Sequence, residues 1–192
     1  MTILYPTETL YALGVNAFDP EALATLYKIK GREEGKAVSV LVQWKILSGG
    51  RCRQKRSFWR LRFCRPLTLV LRARDEVPRP LLAKDGTLGF RVSLDKTAQA
   101  IIKDFIDKNQ APLTCTSANL SGLPTLATPK KILEQLGNKA NLIDKIYDDG
   151  PRAEVGSTVI RVIDDELNIL RDGAVSKEEI YSVLNVFSDE QA

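Results

Sequence analysis

The chain has 192 residues, 44% of them hydrophobic and 27% charged, the balance of an ordinary soluble globular protein large enough to bury a core. It contains no histidine, which excludes a Ser-His-Asp triad, a Cys-His dyad and any zinc site built on imidazole. The net charge of +4 belongs to one segment: residues 51–65 hold seven basic side chains and no acidic one, and outside them 21 basic residues face 24 acidic ones, a net of −3.

No apolar run nears the ~20 residues of a bilayer span. Met1-Thr2-Ile3-Leu4-Tyr5-Pro6 offers neither a basic n-region nor a long apolar h-region. The expectation is one domain over residues 1–192, cytoplasmic and without membrane contact. Cys52, Cys64 and Cys115 are widely spaced and odd in number, which suits neither a disulfide framework nor a metal pattern. Cys115, in a short strand, reads as a buried inert thiol.

The chain opens with a strand ending at Tyr5-Pro6. Asp19-Pro20-Glu21 is an N-cap followed by proline at the first helical position. Leu23, Leu26, Tyr27 and Lys30 then recur at helical spacing, and Gly31 supplies the stop. Ala37–Val42, Leu67–Arg72 and Thr87–Val92 read as strands, the last two separated by a proline-bearing loop. Asp95 caps a helix with Ala98, Ile101, Ile102 and Phe105 on one face. A short strand, Pro112–Thr116, runs into the polar stretch Ser117–Gly122. Thr128-Pro129 opens a helix that Gly137 closes, and strands follow at Ile143–Tyr147, Ser157–Ile163 and Leu167–Arg171. The capping box Ser176-x-x-Glu179 starts a last helix. Several strands follow one another without an intervening helix, which predicts an α+β fold with a mixed sheet.

Three loops are richer in small polar residues than packing requires. Tyr5-Pro6-Thr7-Glu8-Thr9-Leu10-Tyr11-Ala12-Leu13-Gly14 follows the first strand; its hydroxyls suit a small polar ligand, or Thr and Glu simply cap a helix. Lys30-Gly31-Arg32, with Lys36 four residues on, is either a helix C-cap or a pair of cations that the glycine turns toward one anion. It is no Walker loop, since it follows a helix and lacks Ser or Thr after the lysine. Thr114-Cys115-Thr116-Ser117-Ala118-Asn119-Leu120-Ser121-Gly122 gathers hydroxyl, amide and backbone N–H donors at a strand end, as phosphate-binding nests do and as ordinary Ser/Asn turns also do. Arg91, in the middle of an apolar strand, needs an anionic partner and is either ion-paired structurally or a substrate clamp.

In chain order these segments resemble one family. Tyr5-Pro6-Thr7-Glu8-Thr9-Leu10-Tyr11-Ala12-Leu13-Gly14 is similar to the opening of the threonylcarbamoyl-AMP synthases, the YrdC-like family, with Ala12 where glycine is usual. Lys30-Gly31-Arg32, the Pro66–Leu71 strand, Arg91, Thr116–Gly122, Gly156-Ser157-Thr158-Val159 and Ile169–Gly173 follow in the family's order. The resemblance implies a YrdC-like single domain, with a twisted mixed β-sheet and helices around a large concave pocket. It implies a nucleotidyltransferase that condenses L-threonine, bicarbonate and ATP, with Mg2+, into threonylcarbamoyl-AMP and pyrophosphate. A partner complex would then transfer the threonylcarbamoyl group to an adenosine of tRNA. By the resemblance, Lys30, Arg32, Ser117 and Asn119 are the catalytic residues and contact ATP. Ser157 and Arg171 match further nucleotide contacts, and Thr7 and Arg91 match positions near threonine. Such chemistry suits a chain without histidine, because bringing two anions together mainly demands cations.

Two departures from the family pattern bear on activity. Only Met1–Leu4 precede the first motif, and the segment Trp44–Arg65 replaces an acidic, alanine-rich helix and a Pro-Gly-Pro. That segment holds both tryptophans, two of the three cysteines and no acid, and its charges scatter around a helical axis. The expectation is a pair of compensating frame changes between about Leu47 and Arg65, in the gene or its sequencing, with a basic RNA-binding segment as the alternative. The alternative function is a YrdC-like nucleotide- or RNA-binding protein without synthase activity.

Overall fold

The computed structural model describes residues 1–32, 37–42, 66–75, 77–164 and 166–185. Lys36 and the whole of Trp44–Arg65, with the frame and RNA readings attached to it, lie outside the described residues.

The first strand, β1 (Thr2–Tyr5), is buried along its whole length. Its side chains alternate between two layers: Leu4 joins the core under the first helix, while Ile3 and Tyr5 join the core on the opposite face. Burial on both faces is why Ile3, Leu4 and Tyr5 follow one another without a polar residue between them. The next strand corrects the expectation of a loop. Residues Tyr5–Gly14 do not cap a helix; the chain turns at Thr7–Leu10 and returns antiparallel as β2 (Ala12–Val15). The Thr7 hydroxyl closes that turn by donating to the Leu10 carbonyl at 2.6 Å and accepting from the Thr9 and Leu10 amides. Gly14 is required on β2, because a Cβ there would lie 2.7 Å from the Tyr5 ring.

Helix α1 (Pro20–Lys30) starts where Asp19 accepts from the Glu21 and Ala22 amides. It ends at Gly31, whose φ of 59° is left-handed. The Gly31 and Arg32 amides return to the Lys28 and Tyr27 carbonyls, a Schellman closure. Leu23, Leu26 and Ile29 pack α1 on the sheet, each worth roughly 1.5–3 kcal/mol of apolar burial.

Strands β3 (Ser39–Leu41), β4 (Leu67–Arg72) and β5 (Thr87–Arg91) follow. Helix α2 (Lys96–Asn109), capped by Asp95, lays Ala98, Ile101, Ile102 and Phe105 on the face opposite α1. Then come β6 (Leu113–Ser117), α3 (Pro129–Leu136), β7 (Lys145–Ile146), β8 (Thr158–Ile163) and β9 (Glu166–Arg171). Helix α4 (Lys177–Asn185) begins at Ser176, whose hydroxyl accepts from the Glu179 amide at 3.1 Å. It packs Ile180 on a third core formed with β4 and β8.

The strands form one mixed sheet in the order β7-β1-β2-β6-β3-β5-β4-β8-β9. The β7/β1, β3/β5 and β4/β8 pairs are parallel and the rest antiparallel. The α+β reading with a mixed sheet therefore holds. The strand read at Ile143–Tyr147 shrinks to two residues, since a 3-10 turn occupies Gly137–Leu142 before it. Among the described residues no helix is long and apolar enough to cross a membrane.

Sheet register sets the site. Arg171 of β9 pairs with Val159 of β8, Val159 with Thr68 of β4, and Thr68 with Arg91 of β5. Directly paired residues project from the same face, so this row carries two arginines and a hydroxyl to one place.

Candidate functional site

The row opens into a cavity of about 480 Å³, walled also by the end of α1, by β3 and by the Cys115–Gly122 segment. Four cations reach its wall, Lys30, Arg32, Arg91 and Arg171, and the described residues add no carboxylate to it. A wall so charged suits a polyanion.

Lys30 and the Ser117–Asn119 segment, 87 or more residues apart in sequence, meet directly. The Lys30 ammonium donates to Asn119 Oδ1 at 2.8 Å and to the Ser117 carbonyl at 2.5 Å, with Ser117 Oγ at 3.5 Å. Ser117 Oγ donates to Asn119 Oδ1 at 2.6 Å, and the Asn119 amide nitrogen donates to the Leu123 carbonyl. The backbones join as well, since the Ser121 N–H donates to the Lys30 carbonyl at 2.9 Å. Lys30 is 4% exposed. Burial, and then the charge of Arg32, lower its pKa to about 7. Arg32 follows the αL glycine and donates from Nη2 to the Ala37 carbonyl at 3.2 Å. The two readings of Lys30-Gly31-Arg32 are thus compatible: one glycine closes the helix and turns both cations to the cavity.

Arg91 is held differently. Its Nη2 donates to Glu8 Oε1 at 2.9 Å, Thr9 Oγ1 at 2.7 Å and Thr7 Oγ1 at 3.3 Å. Its Nε is buried without a partner among the described residues. Burial pushes the Glu8 carboxyl up, but the Arg91 charge and hydrogen bonds from Ser93 and Arg91 outweigh it and leave Glu8 below its usual range. Arg91 is therefore both an ion-paired residue and part of the wall. Thr7, by contrast, is fully buried and off the wall; its hydroxyl serves the turn and Arg91.

Arg171 lies in the same row of the wall as Arg91, and Ser157 stands beside it. Arg171 Nη2 donates to the Ser157 carbonyl at 2.7 Å, and the Ser157 and Thr68 hydroxyls share a 2.8 Å hydrogen bond. Burial and the nearby Arg91 charge lower the Arg171 pKa. Gly173 makes this corner possible, because a Cβ there would sit 2.5 Å from backbone atoms of Gly156, Ser157 and Thr158. The Gly156–Val159 and Ile169–Gly173 motifs thus pack on each other. Cys115 is buried as expected and lies on the wall, with its thiol pKa raised by burial.

The sequence reading missed Thr68, Ser39, Ser93 and Arg152. Thr68, on the wall, had a signal: a lone hydroxyl inside the apolar run Leu67–Leu71. Ser39, also on the wall, had none, since its value lies in a contact with Gly89 made across β3 and β5.

The family model Sua5_yciO_yrdC, described as telomere recombination, matches residues 1–173. A putative threonylcarbamoyl-AMP synthase of Mycobacterium tuberculosis is 31% identical over 96% of this chain and 83% of its own length. The threonylcarbamoyl-AMP synthase of Bacillus subtilis is 30% identical over 95% of this chain and 52% of its own. Among solved structures, Pyrococcus abyssi Sua5 complexed with L-threonine superposes with a TM-score of 0.81 at 28% identity, covering 95% of this chain and 53% of that one. The chain thus spans about half the length of the Bacillus and Pyrococcus relatives. By the family match and the relatives alike, it belongs to the Sua5/YciO/YrdC family, whose named members here are threonylcarbamoyl-AMP synthases.

Proposed function

We propose that this cavity condenses L-threonine, bicarbonate and ATP into threonylcarbamoyl-AMP and pyrophosphate, supplying the group that a partner complex transfers to tRNA. The observation that carries the reading is the convergence of four cations on one wall without a carboxylate among its described residues. Threonine's neutral amine attacks carbon dioxide with loss of a proton to solvent, or bicarbonate with release of water, and a carbamate oxygen then attacks the α-phosphorus of ATP, displacing pyrophosphate. Two like charges 4 Å apart at an effective dielectric of 20 repel by about 4 kcal/mol. Fixed cations remove that barrier and hold the reactants in line.

Lys30 and Arg32, with Ser117 and Asn119, take the ATP phosphates; Arg32 offers a two-donor fork and Lys30 a point charge. Ser157 and Arg171, on the same wall, hold the nucleotide. Arg91 meets the threonine carboxylate, a group its planar guanidinium fits, and Thr7 acts through Arg91. Magnesium carried on the ATP phosphates would supply further neutralisation of their charge; among the described residues no group of three or more acidic or cysteine side chains gathers to hold such an ion.

The test is pyrophosphate release by the purified protein. Release that needs both threonine and bicarbonate is the expected result. ATP binding without it would favour the YrdC-like nucleotide- or RNA-binding alternative.

A further inference from the structure

Arg91 is as buried as Lys30, and its own shell does not end at Glu8. The second carboxylate oxygen of Glu8 accepts from the Ser93 hydroxyl. Ser93 Oγ in turn accepts from the Asp95 amide at 3.2 Å. Asp95 Oδ2 faces Arg152 Nη2 at 3.4 Å, and Arg152 Nε donates to the Thr7 carbonyl at 3.0 Å. Thr7 Oγ1 returns the circuit to Arg91. Two arginines and two carboxylates therefore close a ring, with Arg91 on the cavity wall and Arg152 behind it.

Arg152 is anchored on more than this ring. It donates to the Asp149 carbonyl and to Asp149 Oδ2, each at 2.5 Å, and lies 5.9 Å from the Tyr11 ring centroid. Asp149 is tied to α2 through the Thr97 hydroxyl at 3.0 Å, and the Tyr11 hydroxyl donates to the Gly150 carbonyl at 2.7 Å. Residues 148–152 are thus stapled to the turn that carries Glu8. The Arg152 side chain is only 15% exposed. An arginine whose donors reach three chain segments fixes their relative positions in a way a surface ion pair does not.

We propose that Arg152 is a positioning residue that sets the Thr7–Leu10 turn, so that Glu8 holds the Arg91 guanidinium in its orientation on the cavity wall. The consequence for catalysis rests on the reading of Arg91 as the threonine contact. Arg152 does not line the cavity, and its hydrogen bonds go to Thr7, Asp95, Asp149 and Pro151 and to none of the residues assigned to the ATP phosphates, so its loss should act on the amino-acid end alone.

The experiment uses Arg152→Met, which keeps the packing over Tyr11, Arg152→Lys, Glu8→Gln and the double variant Arg152→Met/Glu8→Gln. In Arg152→Met the KM for threonine should rise about tenfold while the KM for ATP stays within about twofold, because a displaced clamp costs only the substrate it grips. The double variant should be no worse than the worse single variant, as members of one network are not additive. Equal rises for both substrates, or additive losses, overturn the proposal. Arg152→Lys, which keeps the charge but not the fork, carries the same test if the methionine variant does not fold. A second arm needs no substrate: the Arg91 Nε–H resonance in 15N-labelled protein should shift or exchange faster in Arg152→Met, and an unchanged resonance overturns the proposal. If wild-type protein releases no threonine-dependent pyrophosphate, the functional reading fails, and the resonance alone decides the role of Arg152.

Discussion

At one end of the cavity Lys30 stands among neutral oxygens of Ser117 and Asn119; at the other Arg91 is ion-paired to Glu8. Both cations are 4% exposed, yet their electrostatics differ in sign. Burial and Arg32 act against the Lys30 charge, so an incoming anion supplies what the protein withholds. Arg91 already has its counter-ion, and its neighbour Glu8 stays ionised because of it. The first end is poised for a strongly charged ligand such as a triphosphate. The second is pre-organised to orient a single carboxylate without depending on it for charge balance.

The largest effect should come from breaking the paired end. Arg91→Met leaves the mostly buried Glu8 carboxylate without its cation and with only the Ser93 hydroxyl to hold it, and the loss should approach the lower end of the about 3–5 kcal/mol seen when one partner of a buried pair is removed. Chemical denaturation of the free protein should show that loss. A cost below ~1 kcal/mol would mean that the pair is solvated like a surface bridge. Arg32→Ala probes the other end and should separate function from stability. It removes a charge-assisted phosphate contact worth about 1.5–3 kcal/mol in ATP binding. The free protein should lose no more than ~0.5 kcal/mol, as for other partly exposed side chains. Calorimetric titration of ATP beside a melting curve checks both numbers.

What the sequence made legible, and what it hid, follows the same division. The Lys30 end was readable because local rules write it: Asp19 and Pro20 start α1, Gly31 stops it, and the cations sit in the last turn and just past the stop. Ser117 and Asn119 announced themselves as polar residues after an apolar strand. The ring around Arg91 was only half readable. An arginine inside an apolar strand demands an anion, but nothing local says that the anion is Glu8, 83 residues earlier, or that Arg152 closes the circuit. Strand β2 hid because both its faces are buried, which erases the alternation that marks a strand. Thr7 was half readable for a related reason: a threonine in a motif suggests a place beside the ligand, and only the fold shows that its hydroxyl closes a turn and reaches Arg91.

The smallest effect, and the sharpest on the contrast between the two ends, is the pH dependence of ATP binding. Lys30 falls from the ordinary lysine value of 10.5 to about 7 in the free protein. Between those values the unfolded chain holds a proton that the folded one has released, so stability should rise with pH from about 7 toward 10. ATP binding should run the opposite way. Its phosphates favour the ammonium, so binding above pH 7 draws a proton onto Lys30, and affinity should fall by up to ~10-fold per pH unit. Lys30→Arg, which stays charged throughout, should flatten the affinity profile without abolishing binding. Threonine affinity should not share this slope, because Arg91 does not titrate and Glu8 is held ionised far below this range. Measuring the affinities of both substrates from pH 6.5 to 8.5, with proton uptake from titrations in two buffers of different ionisation enthalpy, decides it. A threonine profile as steep as that of ATP would show that the two ends titrate as one unit and would remove the distinction between them.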